Sequence, residues 1–330
     1  MSLPQSIKSR LRLPLIAGPM LRISGPDLVS AACRSGVIGA FPTVNARSTE
    51  ELDAWLTRIK DDCARHDGPT APICPNIIMR REPSVLKADL DVLVKHKTEM
   101  VIASVGSPEG ATGRLHEVGC TVFADVASMR HVEKALEAGA DGLVLLSAGA
   151  GGQTGWVNGM SFVRAVRKMF DGPIILSGGI SDGVALWAAR VLGCDLGLMA
   201  TRFIATPESM ATDPYRDMLV TSRFDDVMTT PAFTGIDANM LRPSVIAAGL
   251  DPKTLMGALS PEKSKELLDA KGNTPRRWVD IWSAGHTVSG VDAICTVAEL
   301  IDELEVEYNQ ARRQDYEMLR ADLKHVPPAV

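Results

Sequence analysis

The stretch Pro173–Phe203 reads PIILSGGISDGVALWAARVLGCDLGLMATRF. PIILS is a continuous apolar run followed by two glycines, the pattern of a strand covered on both faces. Ser181 and Asp182 carry side-chain oxygens suited to capping a helix over Asp182–Leu192. Gly193 offers the left-handed residue that ends one. CDLGLMATRF then begins a second apolar run. A strand, short loop, helix and strand in this compass make a βαβ unit, whose two strands must be parallel.

The same rhythm extends to both sides. LPLIAG (Leu13–Gly18) precedes a helical pattern over Pro26–Arg34, and VIGAFP precedes Thr49–Ala64. PICPNIIM precedes Ser84–Lys95, MVIASVG precedes Glu109–Glu117, and CTVFADV precedes Met129–Ala138. DGLVLLS precedes a glycine loop and then Met160–Phe170, and the run ending MATRF precedes Pro207–Leu219. Eight such units predict an α/β fold of the (β/α)8 TIM-barrel kind, with an open doubly wound sheet as the alternative. Beyond Thr221 the rhythm breaks. DDVMTTPAFTGIDANMLRPSV has no helical period; a helical pattern at Pro261–Ala270, a turn at KGNTP, the segment WVDIWSAGHTVSGVD and a charged helix over Thr296–Leu323 follow. The expected organisation is a barrel over 1–220, a substrate-covering lid over 221–295 and a C-terminal helix over 296–330 packing back on the barrel. The extension and lid are expected to be mainly helical.

Composition narrows the function. Apolar residues make up 45% and charged residues 23% of the 330, with a net charge of −5. There is no basic stripe or basic–aromatic patch, which argues against a nucleic-acid partner. No apolar run is long enough to span a bilayer and no secretory leader is visible, so a cytoplasmic protein without a membrane partner is expected. The six cysteines, Cys33, Cys63, Cys74, Cys120, Cys194 and Cys295, form no CxxC pair and read as reduced, mostly buried thiols. Metal-ligand spacing is absent, so no metal is expected.

In a barrel the chemistry sits where strands end at the C-terminal face. After the seventh and eighth strands stand Ser177-Gly178-Gly179 and Met199-Ala200-Thr201. Backbone N–H groups at such loops, with a helix N-terminus, can hold a phosphate without a lysine. SGG also suits a plain tight turn. Asn76, polar among apolar neighbours at a strand end, can pair with the edge of a planar heterocycle, or satisfy local backbone. Ala17-Gly18-Pro19-Met20 can form a shelf for a ring. After the sixth strand comes Ala148–Trp156, AGAGGQTGW, whose glycines let a flat ligand lie against the backbone and bring Gln153 to its edge.

Taken in order, LPLIAGPM, Asn76, AGAGG, LSGGISDG, MATRFIAT and WSAG resemble the nitronate monooxygenase family, long called 2-nitropropane dioxygenases. The resemblance covers most of the chain. It implies an FMN-binding barrel with a helical second domain, the FMN phosphate lying at the loops after strands seven and eight. Asn76, Gly151, Gly178, Gly179, Met199, Ala200 and Thr201 match family flavin contacts; Ala17–Met20, Gly152 and Ser177 complete the expected cofactor set. The implied activity is oxidation of nitronates or similar stabilised carbanions with O2.

Two departures bear on that activity. Where the family usually has AGGH, this chain has AGGQ, and Gln153 cannot abstract a proton from carbon near neutral pH. Asp125, after the fifth strand, replaces the Lys or Thr of relatives. It is expected to be paired, with Arg80 or Arg242 or at a helix N-terminus, or to act as a base. His286, in WSAGH, is the histidine expected nearest the barrel mouth. Gln153, Asp125 and His286 are therefore the catalytic candidates. Gln153, Trp156 and Arg242 are the substrate-binding candidates, with Arg242 as an anion clamp and Trp156 and Trp282 as apolar walls or core. The expected partners are a small molecule, O2 or NAD(P)H, and a second copy of the chain. An NAD(P)H-dependent reductase of quinones or enoyl thioesters is the alternative, its nicotinamide stacking on the flavin because no GxGxxG follows an early strand. A phosphate-binding barrel enzyme without redox chemistry is a third.

Overall fold

The computed structural model describes residues 3–233, 235–255, 257 and 278–323. Eight parallel strands close into a barrel: β1 (Leu15–Ala17), β2 (Ile38–Pro42), β3 (Ile73–Ile78), β4 (Met100–Ser104), β5 (Thr121–Val126), β6 (Gly142–Leu146), β8 (Ile174–Ser177) and β9 (Leu196–Met199). A two-residue strand, β7 (Gly152–Gln153), lies outside it. The barrel closes through β1 on β9, with Ile16 beside Leu198 and Ala17 beside Met199, which rules out the open sheet.

The apolar runs divide between two faces with the period of two that strands impose. Ile16, Ile38, Ala40, Cys74, Met100, Ile102, Phe123, Val144, Ile175 and Leu196 form one buried cluster inside the barrel. Phe123 needs a glycine beside it: a Cβ on its register partner Gly142 would lie 2.3 Å from the ring. Leu3 and Ile7, the latter on α1 (Gln5–Lys8), join this cluster and plug the end where the strands begin. The alternate residues face α2 (Pro26–Arg34), α3 (Thr49–Ala64), α4 (Pro83–Lys95), α5 (Glu109–His116), α6 (Met129–Glu137), α7 (Gly159–Val166) and α8 (Gly183–Leu192). Helix starts follow the expected chemistry. The Ser48 and Ser128 hydroxyls accept from Glu51 N and His131 N, and Asp182 accepts from Ala185 N at 2.7 Å. Gly193 ends α8 at φ +109°.

The helix expected over Pro207–Leu219 starts later, as α10 (Asp213–Thr221), and a separate short helix, α9 (Thr201–Ile204), precedes it. Between them the Met210 N–H donates to Ile23 O at 2.9 Å, so the chain is tied to the loop after β1 rather than coiled. The region beyond 221 also holds strands that sequence periodicity misses. β10 (Val227–Thr230) and β11 (Ala238–Leu241) pair antiparallel, and β11 pairs with β7, Asn239 beside Gly152 and Ala238 beside Gln153. α11 (Arg242–Ala247) follows; the helix expected at Pro261–Ala270 and the KGNTP turn lie outside the described residues. The last helix, α12 (Val297–Leu323), packs on α8 and α2, burying Leu300, Ile301, Leu304 and Tyr308. Among the described residues no helix is long and apolar enough to cross a membrane.

α8 and α12 meet at Gly183, where an added Cβ would lie 2.3 Å from Tyr308 N and 2.5 Å from Leu304 O. Both are backbone atoms and cannot step aside. Gly183→Ala is expected to push α12 off α8 at a cost of about 2 kcal/mol. A lowered urea midpoint and faster proteolysis within α12 would register it.

Candidate active site

The ends of β1, β3, β4, β5, β6, β8 and β9 open into a cleft of about 480 Å³. It is roofed by the glycine loop and by Trp278, Trp282, Ser283, Ala284 and Thr287 of the C-terminal extension. The glycines of that loop serve backbone packing. A Cβ on Gly151 would lie 2.7 Å from Gly285 N, one on Gly285 2.6 Å from Gly149 O, and one on Gly155 2.0 Å from Leu146 O. The loop is pinned further by His286 N to Gly149 O at 2.9 Å and by the Asn239 amide to Ala150 O at 2.7 Å. Gln153 emerges from it on β7, exposed and lining the cleft.

At one end of the cleft lie Gly178, Gly179, Ala200 and Thr201. Among the described residues, their N–H groups have no hydrogen-bond partner. Gly178 and Gly179 have φ of +105° and +79°, and a Cβ on Gly179 would point into open space. The Thr201 hydroxyl accepts from Gly285 N at 3.0 Å, which leaves its own hydrogen to donate. This donor set suits an anion. One expectation needs correction: α8 does not offer its N-terminus. Its first turn is already occupied by carboxylates, Asp182 on Ala185 N and Glu307 on Gly183 N at 2.8 Å. The loop amides and the start of α9 remain.

On the other side, Asn76, Ser104 and Asp125 stand on adjacent strands, β3, β4 and β5, and all line the cleft. The Asn76 amide donates to Ile102 O at 3.1 Å and to the Ser104 hydroxyl, and Ser104 donates to Asp125. Both Asn76 amide hydrogens are thus engaged, and its Oδ1 is the atom left for a ligand. Asp125 is half-buried, and among the described residues it has no cationic partner and caps no helix. Arg80 and Arg242, offered as its counterions, are exposed and do not line the cleft. Burial pushes the Asp125 carboxyl up to about 6, opposed only by the Ser104 hydrogen bond.

The structure brings together Pro19, Met20, Asn76, Asp125, Gly151, Gly152, Gln153, Ser177, Gly178, Gly179, Ala200 and Thr201 along one cleft. Ala17 and Met199 are buried beneath it, and Gly18 N bonds to Met199 O at 2.8 Å. Three candidates lie elsewhere. Trp156 is 82% exposed and outside the lining, because Gly155 turns the chain away over Leu146. Arg242 starts α11 and points to solvent. His286 is exposed, its ring against the outer side of Gly149. The apolar walls are Trp282, stacked on Tyr215 at 5.0 Å between ring centres, and Trp278, held at φ +62°. Val105 also lines the cleft at φ +55°, a strained conformation for a β-branched residue. Tyr215, Trp278 and Val105 carry no motif; the signal for Ser104 was its place at a strand end.

A profile of the nitronate monooxygenase family matches residues 75–307. A nitronate monooxygenase from Paraburkholderia phytofirmans is 25% identical over 344 aligned residues, covering 91% of this chain and 93% of the relative. A (3aS,4S,5R,7aS)-5-hydroxy-7a-methyl-1-oxo-octahydro-1H-indene-4-carboxyl-CoA dehydrogenase from Rhodococcus jostii is 22% identical over 320, covering 88% of each. Among solved structures, FabK from Thermotoga maritima superposes with a TM-score of 0.79 at 23% identity, over 97% of this chain and 99% of that one.

The unpaired carboxylate makes stability depend on pH. The folded value of about 6 lies above the ordinary 3.8, so folding favours the neutral acid. That advantage is full below about pH 4 and is lost as pH rises through about 6, above which the charge opposes folding. Asp125→Asn keeps an acceptor for Ser104 and removes the charge. It is expected to stabilise the protein by about 1–3 kcal/mol at pH 8 and by little at pH 4, as read from denaturant melts at the two pH values.

Proposed function

The chain belongs to the nitronate monooxygenase family of flavin-dependent oxidoreductases, and from that premise we propose that it is an FMN-dependent enzyme that oxidises preformed nitronates, or similarly stabilised carbanions, with O2. The observation that carries this reading is the chemistry of the cleft wall: Gln153 faces the cavity where a base would stand, and His286 lies outside it. The residues present fit FMN. The four unpartnered N–H groups and the Thr201 hydroxyl would hold its phosphate, and the open space at Gly179 leaves room for it. Asn76 Oδ1 would accept from the ring's N–H edge. When bound, FMN supplies the electron transfer and the reaction with O2.

The chain's own residues bind, orient and exclude water. The Gln153 amide donates a hydrogen bond to an anionic substrate oxygen and takes no proton from carbon. Trp278, Trp282 and Tyr215 keep that oxygen in an apolar surround, where one donor counts for more than in water. Asp125, ionised at neutral pH and tied to Ser104, holds the Asn76 amide in its orientation. Ile236, Trp278, Trp282, Ser283, Ala284 and Thr287, the described residues of the extension that line the cleft, would act as its lid.

Steady-state kinetics on the two forms of one nitro compound test the proposal. The nitronate is expected to exceed the neutral nitroalkane in kcat/KM by roughly a hundredfold, the scale of a missing general base. Gln153→His is expected to recover much of that gap. Equal kcat/KM for the two forms in the unmodified enzyme would overturn it.

A second reading, an NAD(P)H-dependent reductase of quinones or enoyl thioesters, rests on a specific observation. The Rhodococcus relative is by name a carboxyl-CoA dehydrogenase, and hydride delivery to a substrate needs no base at position 153. Anaerobic mixing with NADH or NADPH separates the two: rapid bleaching of the flavin absorbance supports the reductase, and an unchanged spectrum supports the oxidase.

A further inference from the structure

A second cavity, of about 490 Å³, lies at the opposite end of the barrel, where β3 and β4 begin. Arg10, Lys60, Lys97, His66 and Glu99 surround it, and the thiol of Cys63, in the last turn of α3, opens onto it half-buried. Behind Cys63, fully buried at the end of α2, is Cys33. The Cys33 S–H donates at 3.5 Å to the carbonyl of Pro72, a residue that lines this cavity beside Cys63, and each thiol shifts the titration of the other. Neither residue belongs to the cleft described above.

The surroundings treat the two sulfurs in opposite ways. Cys63 is lowered to about 7 by the Cys33 hydrogen bond, with help from the Thr70 hydroxyl and the charge of Arg34. Cys33 is held well above the ordinary thiol value by the same pairing and by burial. Cys295, the other half-buried cysteine, is shifted upward by burial. An accessible thiolate backed by a protonated thiol is the arrangement of an attacking and a resolving pair.

We propose that Cys63 is a site of oxidation by small hydroperoxides entering the second cavity, and that Cys33 resolves it to an intramolecular disulfide joining α2 to α3. The Cys63 thiolate attacks one peroxide oxygen. The O–O bond breaks, the sulfur becomes a sulfenic acid, and the peroxide leaves reduced as water or an alcohol. The Cys33 sulfur then attacks the Cys63 sulfur. The S–O bond breaks, the S–S bond forms, and the Cys33 proton leaves with the hydroxide as water.

Peroxide treatment of the intact protein, alkylation after unfolding and peptide mapping by mass spectrometry test this. Cys33 and Cys63 are expected to lose alkylation together and to appear as one cross-linked peptide pair that dithiothreitol separates. Cys63 is expected to be oxidised at least about tenfold faster than Cys295, in keeping with its thiolate character. In Cys33→Ser, or in Cys33→Ala should the serine disturb the core, dimedone is expected to trap Cys63 as a sulfenic acid. In Cys63→Ser, Cys33 is expected to stay alkylatable. Oxidation of Cys63 no faster than Cys295, or dimedone-trapped Cys63 without a cross-link in the unmodified protein, would overturn the proposal.

Discussion

The architecture of the cleft depends on a contact between two stretches of bare backbone. Residues 149–151 leave the end of β6 and run against residues 284–286, with Gly149, Gly151 and Gly285 at the points of closest approach. Any side chain there would force the two segments apart. Because they touch, the extension forms the cleft's roof, β7 can pair with β11, and Gly285 N reaches the Thr201 hydroxyl beside the strand ends. Glycine usually weakens structure by its conformational freedom. Here backbone hydrogen bonds, among them His286 N to Gly149 O and Thr154 N to Asp237 O, the pairing of β7 with β11 and one buried asparagine hold the loop in place. The residues that carry Gln153 are therefore as much a part of the extension as of the barrel.

The cleft's electrostatics are uneven along its length. Among the described residues, one end offers N–H groups and a hydroxyl and no lysine or arginine, and the other presents a carboxylate without a counterion, joined by one serine to an asparagine amide. In the proposed reading a dinegative phosphate and a carboxylate would share this cavity, and the barrel would keep them apart, with the unpartnered amides after β8 and β9 and the carboxylate on β5. Asp125 sits in this environment at the expense of stability, a pattern common among groups retained for ligand contact.

Much of this was legible in the sequence. The unit Pro173–Phe203 repeats because each strand is covered on both faces and each helix is punctuated by a cap and a glycine, and those signals are local. That the loops after β8 and β9 line the cleft was readable because the fold class tells at which end of the strands a cleft opens. What escaped had non-local causes. β10 and β11 are four residues each, separated by PAFTGID, and exist because β7 gives them an edge to pair with. Trp156 follows a glycine loop and looks like a pocket aromatic until Gly155 proves to turn it outward. Asp125 looked like half of an ion pair, and only the placement of Arg80 and Arg242 shows that among the described residues it stands without one.

The barrel's seam lies between its first and last strands, β1 and β9, and α12 crosses outside it to lie on α8 and α2. Arg12, just before β1, pairs with Asp302 at 2.8 Å and Glu305 at 2.6 Å on that helix. α12 thus fastens the segment that leads into β1. β1 leaves a ribosome well before β9, so the nascent sheet has two unsatisfied edges until its eighth strand arrives. Such edges invite pairing with neighbouring chains. Escape from that hazard comes first from β9, which pairs with β1, and then from α12, whose acidic residues fasten Arg12 only after the barrel has been made.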